Sequence, residues 1–136
     1  MTEKIFPDAE EIKTLSPLVA AYIGDAYFHL YVRTRLLKTS HNIKKLHELS
    51  AEIVSAVSQA KAYKIIEENL TDEEKNYFRR GRNAKTHAPR SSTVAEYHAS
   101  TGFETLLGEL FLRKNFSRLD EICEMTFSSV TKSFGK

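Results

Sequence analysis

Cysteine, glycine and proline are all scarce in this 136-residue sequence, which contains one Cys, 5 Gly and 3 Pro. A single cysteine excludes an internal disulfide and leaves no second thiol for a zinc site, so a reducing compartment is expected. Cys123 itself is predicted to be a small core residue. So few chain breakers, together with 41% hydrophobic residues, exclude a disordered or collagen-like chain. The length predicts one domain spanning residues 1–136.

Long apolar runs and targeting signals are absent as well. The longest apolar stretch, residues 17–32, is interrupted by Asp25 and His29 and is shorter than the roughly 20 residues that a membrane-spanning helix requires. Residues 1–14 mix acidic and basic side chains and lack the apolar centre of a signal peptide. The sequence therefore predicts a cytoplasmic protein that makes no contact with a membrane.

Acidic residues are missing from one basic segment. The net charge of the chain is +2, but five cations lie within twelve residues that contain no Asp or Glu: Arg79, Arg80, Arg82, Lys85 and Arg90. The rest of the chain carries a net charge of −3. This concentration of positive charge indicates contact with an anionic partner, for which phosphate is the leading candidate. The alternative is a solvated basic loop.

Several catalytic and nucleotide-binding motifs are also absent. The sequence contains no GxxxxGK[ST] or GxGxxG phosphate-binding motif, no HExxH zinc motif and no GxSxG nucleophile elbow. The histidines are too scattered to suggest a zinc site. We expect each of them on the surface or in helix packing: His29, His41, His47, His87 and His98.

Helical spacing of apolar residues is what the sequence does contain, and it predicts an all-α fold. Ser16 followed by Pro17 is typical of a helix start, so a long first helix is predicted from Pro17 to about Leu37. Residues 42–69 repeat apolar side chains as one or two helices would, with a break near Ser50.

Capping residues predict the starts of three further helices. These helices are expected over about residues 72–81, 94–115 and 118–134, and they follow Thr71, Thr93 and Ser117, respectively. The polar, basic connection over residues 82–92 is predicted to be the one long loop.

Asp25 occupies an unusual position for a carboxylate. It is the only charge of the predicted first helix before Arg33, and that helix is apolar nearly all round, so we expect the helix to be largely buried. An isolated buried carboxylate costs several kcal/mol unless it is paired, hydrogen-bonded or bound to a metal. A hydroxyl, an arginine, a helix end or a metal ion could satisfy Asp25.

Glu104 is a second carboxylate with mainly small and apolar neighbours, among them Ser100 and Gly108. Small residues would allow another helix or a ligand to approach closely. Two carboxylates on separate helices could meet and share a hard divalent cation such as Mg²⁺, which takes oxygen ligands and keeps several waters. Glu109 points away from Glu104 on the helix and is expected to be solvated.

Five groups of residues occur in an order that is typical of one nuclease family. They are Ala21-Tyr22-Ile23-Gly24-Asp25-Ala26, Lys45-Leu46-His47, Val54-Ser55-Ala56 with Gln59-Ala60, Arg80-Gly81-Arg82-Asn83-Ala84-Lys85, and Ser100-Thr101-Gly102-Phe103-Glu104 with Leu106-Leu107-Gly108. In this order, and over about residues 15–115, the chain resembles Mini-ribonuclease III. That family is similar to the nuclease domain of ribonuclease III but lacks the double-stranded-RNA-binding domain.

The resemblance implies an all-helical homodimer that hydrolyses double-stranded RNA with Mg²⁺, with 23S ribosomal RNA precursor as its natural substrate. It also implies that Asp25 of the GDA motif and Glu104 of the FE-x-L-x-G motif are catalytic residues and metal ligands. Full-length ribonuclease III has carboxylates at the places of Ala21 and Thr101, and Mini-ribonuclease III shares the reduced set seen here.

Double-stranded RNA is held chiefly through its phosphates and 2′-hydroxyls. The basic segment is therefore predicted to bind it through Arg79, Arg80, Arg82, Lys85 and Arg90. A duplex has two antiparallel strands related by local two-fold symmetry, so a two-fold protein dimer would present one site to each strand. Two rivals remain: a catalytically silent protein of the same fold that binds double-stranded RNA or the ribosome, and a purely structural helical dimer.

Overall fold

The computed structural model describes residues 3–84 and 92–132 of the chain. Within these residues there is no β-strand, and the predicted all-α fold is confirmed. Seven α-helices follow one another: α1 (Ala9–Thr14), α2 (Pro17–Leu36), α3 (Ile43–Ile53), α4 (Ala56–Ile66), α5 (Asp72–Arg82), α6 (Val94–Leu112) and α7 (Phe116–Thr131). Short 3₁₀ turns lie at Glu3–Ile5 and Glu67–Asn69. Among the described helices, none combines the length and the apolar character that a transmembrane span requires.

The predicted helix starts depend on capping side chains that the structure shows. The Ser16 hydroxyl accepts a hydrogen bond from the backbone N–H of Val19, with Pro17 at the first helical position of α2. Thr71 caps α5 and Thr93 caps α6, each with a complete capping box. These side chains satisfy backbone donors that a helix leaves without an internal partner, so the signals are local and readable in sequence.

Three boundaries differ from the prediction. The break between α3 and α4 lies at Val54 and Ser55 rather than near Ser50, because the Ser55 hydroxyl caps α4 by accepting from Ser58 N at 3.1 Å. Ser117 does not cap the last helix, since α7 already begins at Phe116. Helix α6 ends at Leu112 rather than near Asn115, because the chain turns through Lys114, whose φ of 61° lies in the left-handed region.

The N-terminal helix α1 was not predicted. Asp8 caps it, accepting from Glu11 N at 2.9 Å, and the Glu11 carboxylate accepts in return from Asp8 N. The spacing of Asp8 and Glu11 is a capping-box signal that the sequence contains.

Helix α6 lies at the centre of the fold and packs against α2, α4 and α5. Phe103 of α6 and Phe28 of α2 are fully buried and meet edge to face, with ring centroids 5.2 Å apart. Cys123 of α7 is fully buried in the same core, which confirms its predicted place. Burial of these apolar side chains is the main force that holds the helices together.

The crossing of α2 and α6 depends on two glycines. A Cβ atom on Gly24 would lie 1.8 Å from the carbonyl oxygen of Glu104, and a Cβ on Gly108 would lie 1.8 Å from that of Ala20. The two backbones are therefore in direct contact, as the small residues around Glu104 predicted. This contact brings Asp25, next to Gly24, close to Glu104.

The expectation that α2 is largely buried is wrong for one side of the helix. Tyr22 is 76% exposed and Leu30 is 54% exposed, and Leu18 and Val19 are exposed beside them. Periodicity did not reveal this, because the sequence is apolar on the covered and the uncovered faces alike.

The expectation that Glu109 is solvated is also wrong. Glu109 is only 2% exposed, and its carboxylate accepts a hydrogen bond from Arg113 Nε at 3.0 Å. An arginine one helical turn away provides the charge partner that a buried carboxylate requires.

Candidate active site

The structure brings Asp25 and Glu104 together, although they lie on different helices and far apart in sequence. Asp25 follows Gly24 in the middle of α2, and Glu104 lies in the middle of α6 at the glycine contact. The two carboxyl groups are close enough for Asp25 to raise the pKa of the Glu104 carboxyl.

The two carboxylates differ in exposure. The Asp25 side chain is 52% exposed, so the expected cost of burying it does not arise in the described chain. His29, one helical turn along α2, has its Nε2 atom 3.1 Å from Asp25 Oδ1. Glu104 is only partly exposed, and burial together with the neighbouring Asp25 raises the pKa of its carboxyl to about 9. Burial and the second carboxylate therefore favour one proton on the pair when no cation neutralises it.

Both carboxylates line an open cavity of about 440 Å³ between α2, α4 and α6. The other lining residues are apolar or carry hydroxyl and amide groups: Leu18, Ala21, Tyr22, Val54, Ala56, Gln59, Tyr97, Ser100 and Thr101. Ala21 and Thr101, which stand where full-length ribonuclease III has carboxylates, thus lie in this cavity. Small side chains at these two positions leave space beside Asp25 and Glu104.

Oxygen atoms dominate the donor set of this cavity, and a hard cation fits it. Besides the two carboxylates, the buried Gln59 side chain has an acceptor atom, Oε1, without a hydrogen-bond partner in the described structure. Within the described ranges no group of three or more His, Cys, Asp and Glu side chains forms a metal cluster. A cation held by two carboxylates must complete its shell with water or substrate, which suits Mg²⁺.

Gln59 is a site residue that the sequence reasoning did not identify as functional. Its Nε2 group donates to Val54 O at 3.1 Å and to Glu104 Oε2 at 3.4 Å. The resemblance included Gln59 among its ordered residues, but no spacing rule links position 59 to position 104. The partnership of His29 with Asp25 was readable in the sequence, since the two residues are four positions apart on one helix.

The predicted basic segment is partly described. Arg79, Arg80 and Arg82 are exposed on the last turns of α5, whereas Lys85 and Arg90 lie outside the described residues. Arg79 and Arg82 line a cleft of about 290 Å³, and Arg80 does not. In the described structure none of these three arginines forms an ion pair with a carboxylate.

Two lysines that the sequence reasoning missed line the same cleft, Lys64 of α4 and Lys75 of α5. We call it the basic cleft, defined by Lys64, Lys75, Arg79 and Arg82, although Glu67 also lines it. Tyr63 and Phe78, which also line the cleft, stack with ring centroids 3.5 Å apart, and the Arg82 guanidinium lies over the Phe78 ring. Lys75 could have been found, because it shares a helical face with Arg79 and Arg82. Lys64 comes from another helix, so no local pattern reveals it.

The cavity and the basic cleft lie side by side. Gln59 of α4 lines the cavity while Ala60 lines the cleft, and on α6 Ser100 lines the cavity while Ala99 lines the cleft. Adjacent residues on the same two helices thus border both. An extended anionic molecule could contact the cations while one of its groups reaches the carboxylates.

Comparisons with known proteins identify the family of this chain. The Ribonuclease III domain family matches residues 18–115. Mini-ribonuclease 3 of Thermoanaerobacter sp. is 42% identical over 119 residues, which cover 86% of this chain and 84% of that protein. Mini-ribonuclease 3 of Staphylococcus aureus is 41% identical over 125 residues, with 89% and 93% covered.

A crystal structure of a Fusobacterium nucleatum protein is similar with a TM-score of 0.79 and 33% sequence identity. The similarity covers 88% of this chain and 97% of that one. Family match, sequence identity over most of the chain and shared fold lead to the same assignment: the chain belongs to the ribonuclease III family, in its Mini-ribonuclease 3 branch.

Proposed function

We propose that this member of the ribonuclease III family is a Mg²⁺-dependent endoribonuclease that cuts double-stranded RNA in the cytoplasm and matures 23S ribosomal RNA precursor. The single observation that carries the proposal is the convergence of Asp25 and Glu104 in an open cavity beside the basic cleft. Family membership supports the endonuclease activity, and the resemblance to Mini-ribonuclease III is the basis for the ribosomal substrate.

The proposed roles of the site residues follow from their contacts. Asp25 and Glu104 would hold the cation, with the Asp25 carboxylate oriented by His29 and the Glu104 carboxyl by Gln59. A bound Mg²⁺ would supply activation of the attacking water and neutralisation of charge on the scissile phosphate. The chain positions the phosphate between these carboxylates and the basic cleft.

The RNA contact would come from the basic segment, as the sequence predicts, together with the two lysines of the cleft. Arg79, Arg82, Lys64 and Lys75 face one cleft and are free of carboxylate partners within the described residues, so their charge is available to phosphates. Arg80, Lys85 and Arg90 complete the proposed RNA-binding set.

A homodimer is part of the proposal. The exposed face of α2 carries apolar side chains that another protein surface would cover: Leu18, Val19, Tyr22 and Leu30. Because Leu18 and Tyr22 also line the active-site cavity, a second copy packed on this face would place its own cavity nearby. Two-fold symmetry would then present one site to each strand of a duplex.

Metal-dependent nicking of a long RNA duplex tests the function. The purified protein should cut the duplex in Mg²⁺ and stop when EDTA is added. Asp25→Asn and Glu104→Gln should each abolish cutting while the circular dichroism spectrum stays native. Glu48→Gln, which neutralises an exposed carboxylate on α3 outside the cavity, should cut normally.

Two outcomes would contradict the proposal. Full cleavage by either site variant would remove Asp25 or Glu104 from the catalytic machinery. A duplex that is bound but left intact, equally in Mg²⁺ and EDTA, would identify a silent RNA-binding protein instead.

A further inference from the structure

Gln59 is almost completely buried, at 1% exposure, yet it keeps a carboxamide in a position that an apolar side chain could fill. It lies one turn into α4 and lines the active-site cavity. A buried amide is retained at a cost unless all its polar atoms are used.

The nitrogen end connects two parts of the site. Nε2 donates to the carbonyl oxygen of Val54, at the turn where α3 passes into α4, and to Glu104 Oε2. Gln59 thus ties the Glu104 carboxyl to a fixed backbone atom. This restricts the rotation of the Glu104 side chain and keeps it turned towards Asp25.

The oxygen end has no partner within the described structure, although it is buried. A buried acceptor without a hydrogen bond costs about 1–3 kcal/mol, so such atoms are rare where they serve only packing. The atom belongs to a side chain that lines the cavity of the two carboxylates. A hydrated cation in that cavity would supply the missing donor.

We propose that Gln59 is a positioning residue for the cation: its Nε2 group orients the Glu104 carboxylate, and its Oε1 atom accepts a hydrogen bond from the hydrated cation. This inference rests on the proposed function, because it assigns a role in the same metal site. It adds an uncharged side chain from a third helix, α4, to the carboxylates of α2 and α6. Residues that orient metal ligands contribute to metal affinity without touching the metal.

Mg²⁺ binding by the RNA-free protein tests the role of Gln59. Gln59→Met keeps the length of the side chain and removes both hydrogen-bonding ends. We expect its Mg²⁺ affinity, measured by calorimetry, to fall by about 10- to 100-fold, as is typical when such an orienting partner is removed. The half-saturating Mg²⁺ concentration for cleavage should rise, and cleavage should recover at high Mg²⁺.

Ile53→Val is the matched control. It removes one methylene from a fully buried residue at the end of α3, which does not line the cavity. It should lower the melting temperature and leave the Mg²⁺ affinity unchanged. A packing role for Gln59 predicts the same behaviour for Gln59→Met, whereas the positioning role predicts a smaller Mg²⁺-induced rise of the melting temperature.

Gln59→Glu keeps the inference testable if Gln59→Met fails to fold. A third carboxylate beside Glu104 should lower the melting temperature without cation and enlarge the rise caused by Mg²⁺. Native Mg²⁺ affinity in Gln59→Met, or a native Mg²⁺-induced rise in Gln59→Glu, would overturn the inference. Failure of the proposed function is distinguishable, because the native protein would then leave the duplex uncut in Mg²⁺ whatever the variants bind.

Discussion

Glu124 is an acidic residue whose charge is set by two neighbours on another helix. Arg35 of α2 donates from Nη2 to one Glu124 oxygen at 2.7 Å and from Nε to the other at 3.1 Å. The Tyr31 hydroxyl also donates to this carboxylate. The hydrogen bonds from Arg35 and Tyr31 lower the pKa of Glu124 from 4.5 to about 2. These contacts tie α7 to α2 away from the active site.

This lowered pKa predicts how stability depends on pH. The folded protein favours the charged form of Glu124 more than the unfolded chain does, so its contribution is present above about pH 4.5 and is lost as the pH falls towards 2. Glu124→Gln should be less stable than the native protein at neutral pH, and the difference should shrink over this window. Urea unfolding at a series of pH values measures both curves.

Glu68→Gln provides the control for the loss of one carboxylate. Glu68 is exposed and has no ion pair within the described structure. The stability of Glu68→Gln should follow the same pH curve as that of the native protein. If the difference in unfolding free energy between Glu124→Gln and the native protein stayed constant over this pH range, titration of Glu124 would contribute nothing to the pH dependence of stability.

The contact between α2 and α6 determines whether a site exists at all. Two opposed effects act at Gly24: alanine has the higher helix propensity by about 1 kcal/mol, but its Cβ would meet the Glu104 backbone at 1.8 Å. Backbone atoms of a central helix cannot move aside as a flexible side chain can. The steric effect should therefore prevail over the gain in propensity.

Gly24→Ala is accordingly expected to destabilise the protein by about 1–3 kcal/mol or more, the usual cost of overpacking, and to lower duplex cleavage by separating Asp25 from Glu104. Urea unfolding and the nicking assay measure the two effects. The sign of the change in unfolding free energy decides between the steric effect and helix propensity. Helix propensity acting alone would make the variant more stable than the native protein.

Helix α5 presents three cations on one face, Lys75, Arg79 and Arg82, and α4 adds Lys64 to the same cleft. If these cations hold phosphates, removing Lys75 and Arg82 together should weaken duplex binding with little change in sequence preference. The slope of log affinity against log salt should fall by about 0.7 to 0.9 for each phosphate that the variant no longer binds. Binding of a duplex to Asp25→Asn variants across a salt series measures this slope.

Lys4→Ala is the matched control for this change. Its neighbour Glu3 pairs with Lys114, which follows the end of α6, whereas the basic cleft touches α6 at Ala99. About 20 Å of helix separate the two places. Lys4→Ala should therefore keep the native affinity and slope. If the variant that lacks both Lys75 and Arg82 also kept the native affinity and slope, the basic cleft would be a solvated surface and RNA would be held elsewhere.

The exposed apolar face of α2 leads to a prediction about the whole molecule. A second copy packed on this face would bury Tyr22 and Leu30, which are exposed in the single chain. Sedimentation at micromolar concentration should show a species of about 31 kDa, twice the 15.5 kDa of one chain. Leu30→Glu should convert it to the 15.5 kDa species.

Ile65→Glu is the control for a new charge on an exposed apolar residue. Ile65 is 60% exposed on α4, beside α7 and away from α2. It should leave the dimer intact. A native protein that sediments only at 15.5 kDa would contradict the dimer and would leave the exposed face of α2 without a partner.

The helices were predictable from the sequence because their signals are local. Ser16, Thr71 and Thr93 cap helices through hydrogen bonds to backbone three residues away, and the apolar periodicity of each helix needs no partner to be read. Asp25 and Glu104 stood out for the same reason, as carboxylates among small and apolar neighbours on their own helices. These features made the fold class and the two central carboxylates accessible from sequence.

The partners within the site, the composition of the basic cleft and the burial of single carboxylates depend on which helix faces meet. Only the tertiary structure shows how those faces meet. Gln59 reaches Glu104 across 45 positions of sequence, and Lys64 joins Arg82 only because α4 and α5 border one cleft. The exposure of Asp25 reversed the expectation from its apolar neighbours, and the burial of Glu109 reversed the expectation from its direction on the helix relative to Glu104. The physical reason is that burial and pairing depend on groups brought together by packing, whereas periodicity reports only the neighbours along one helix.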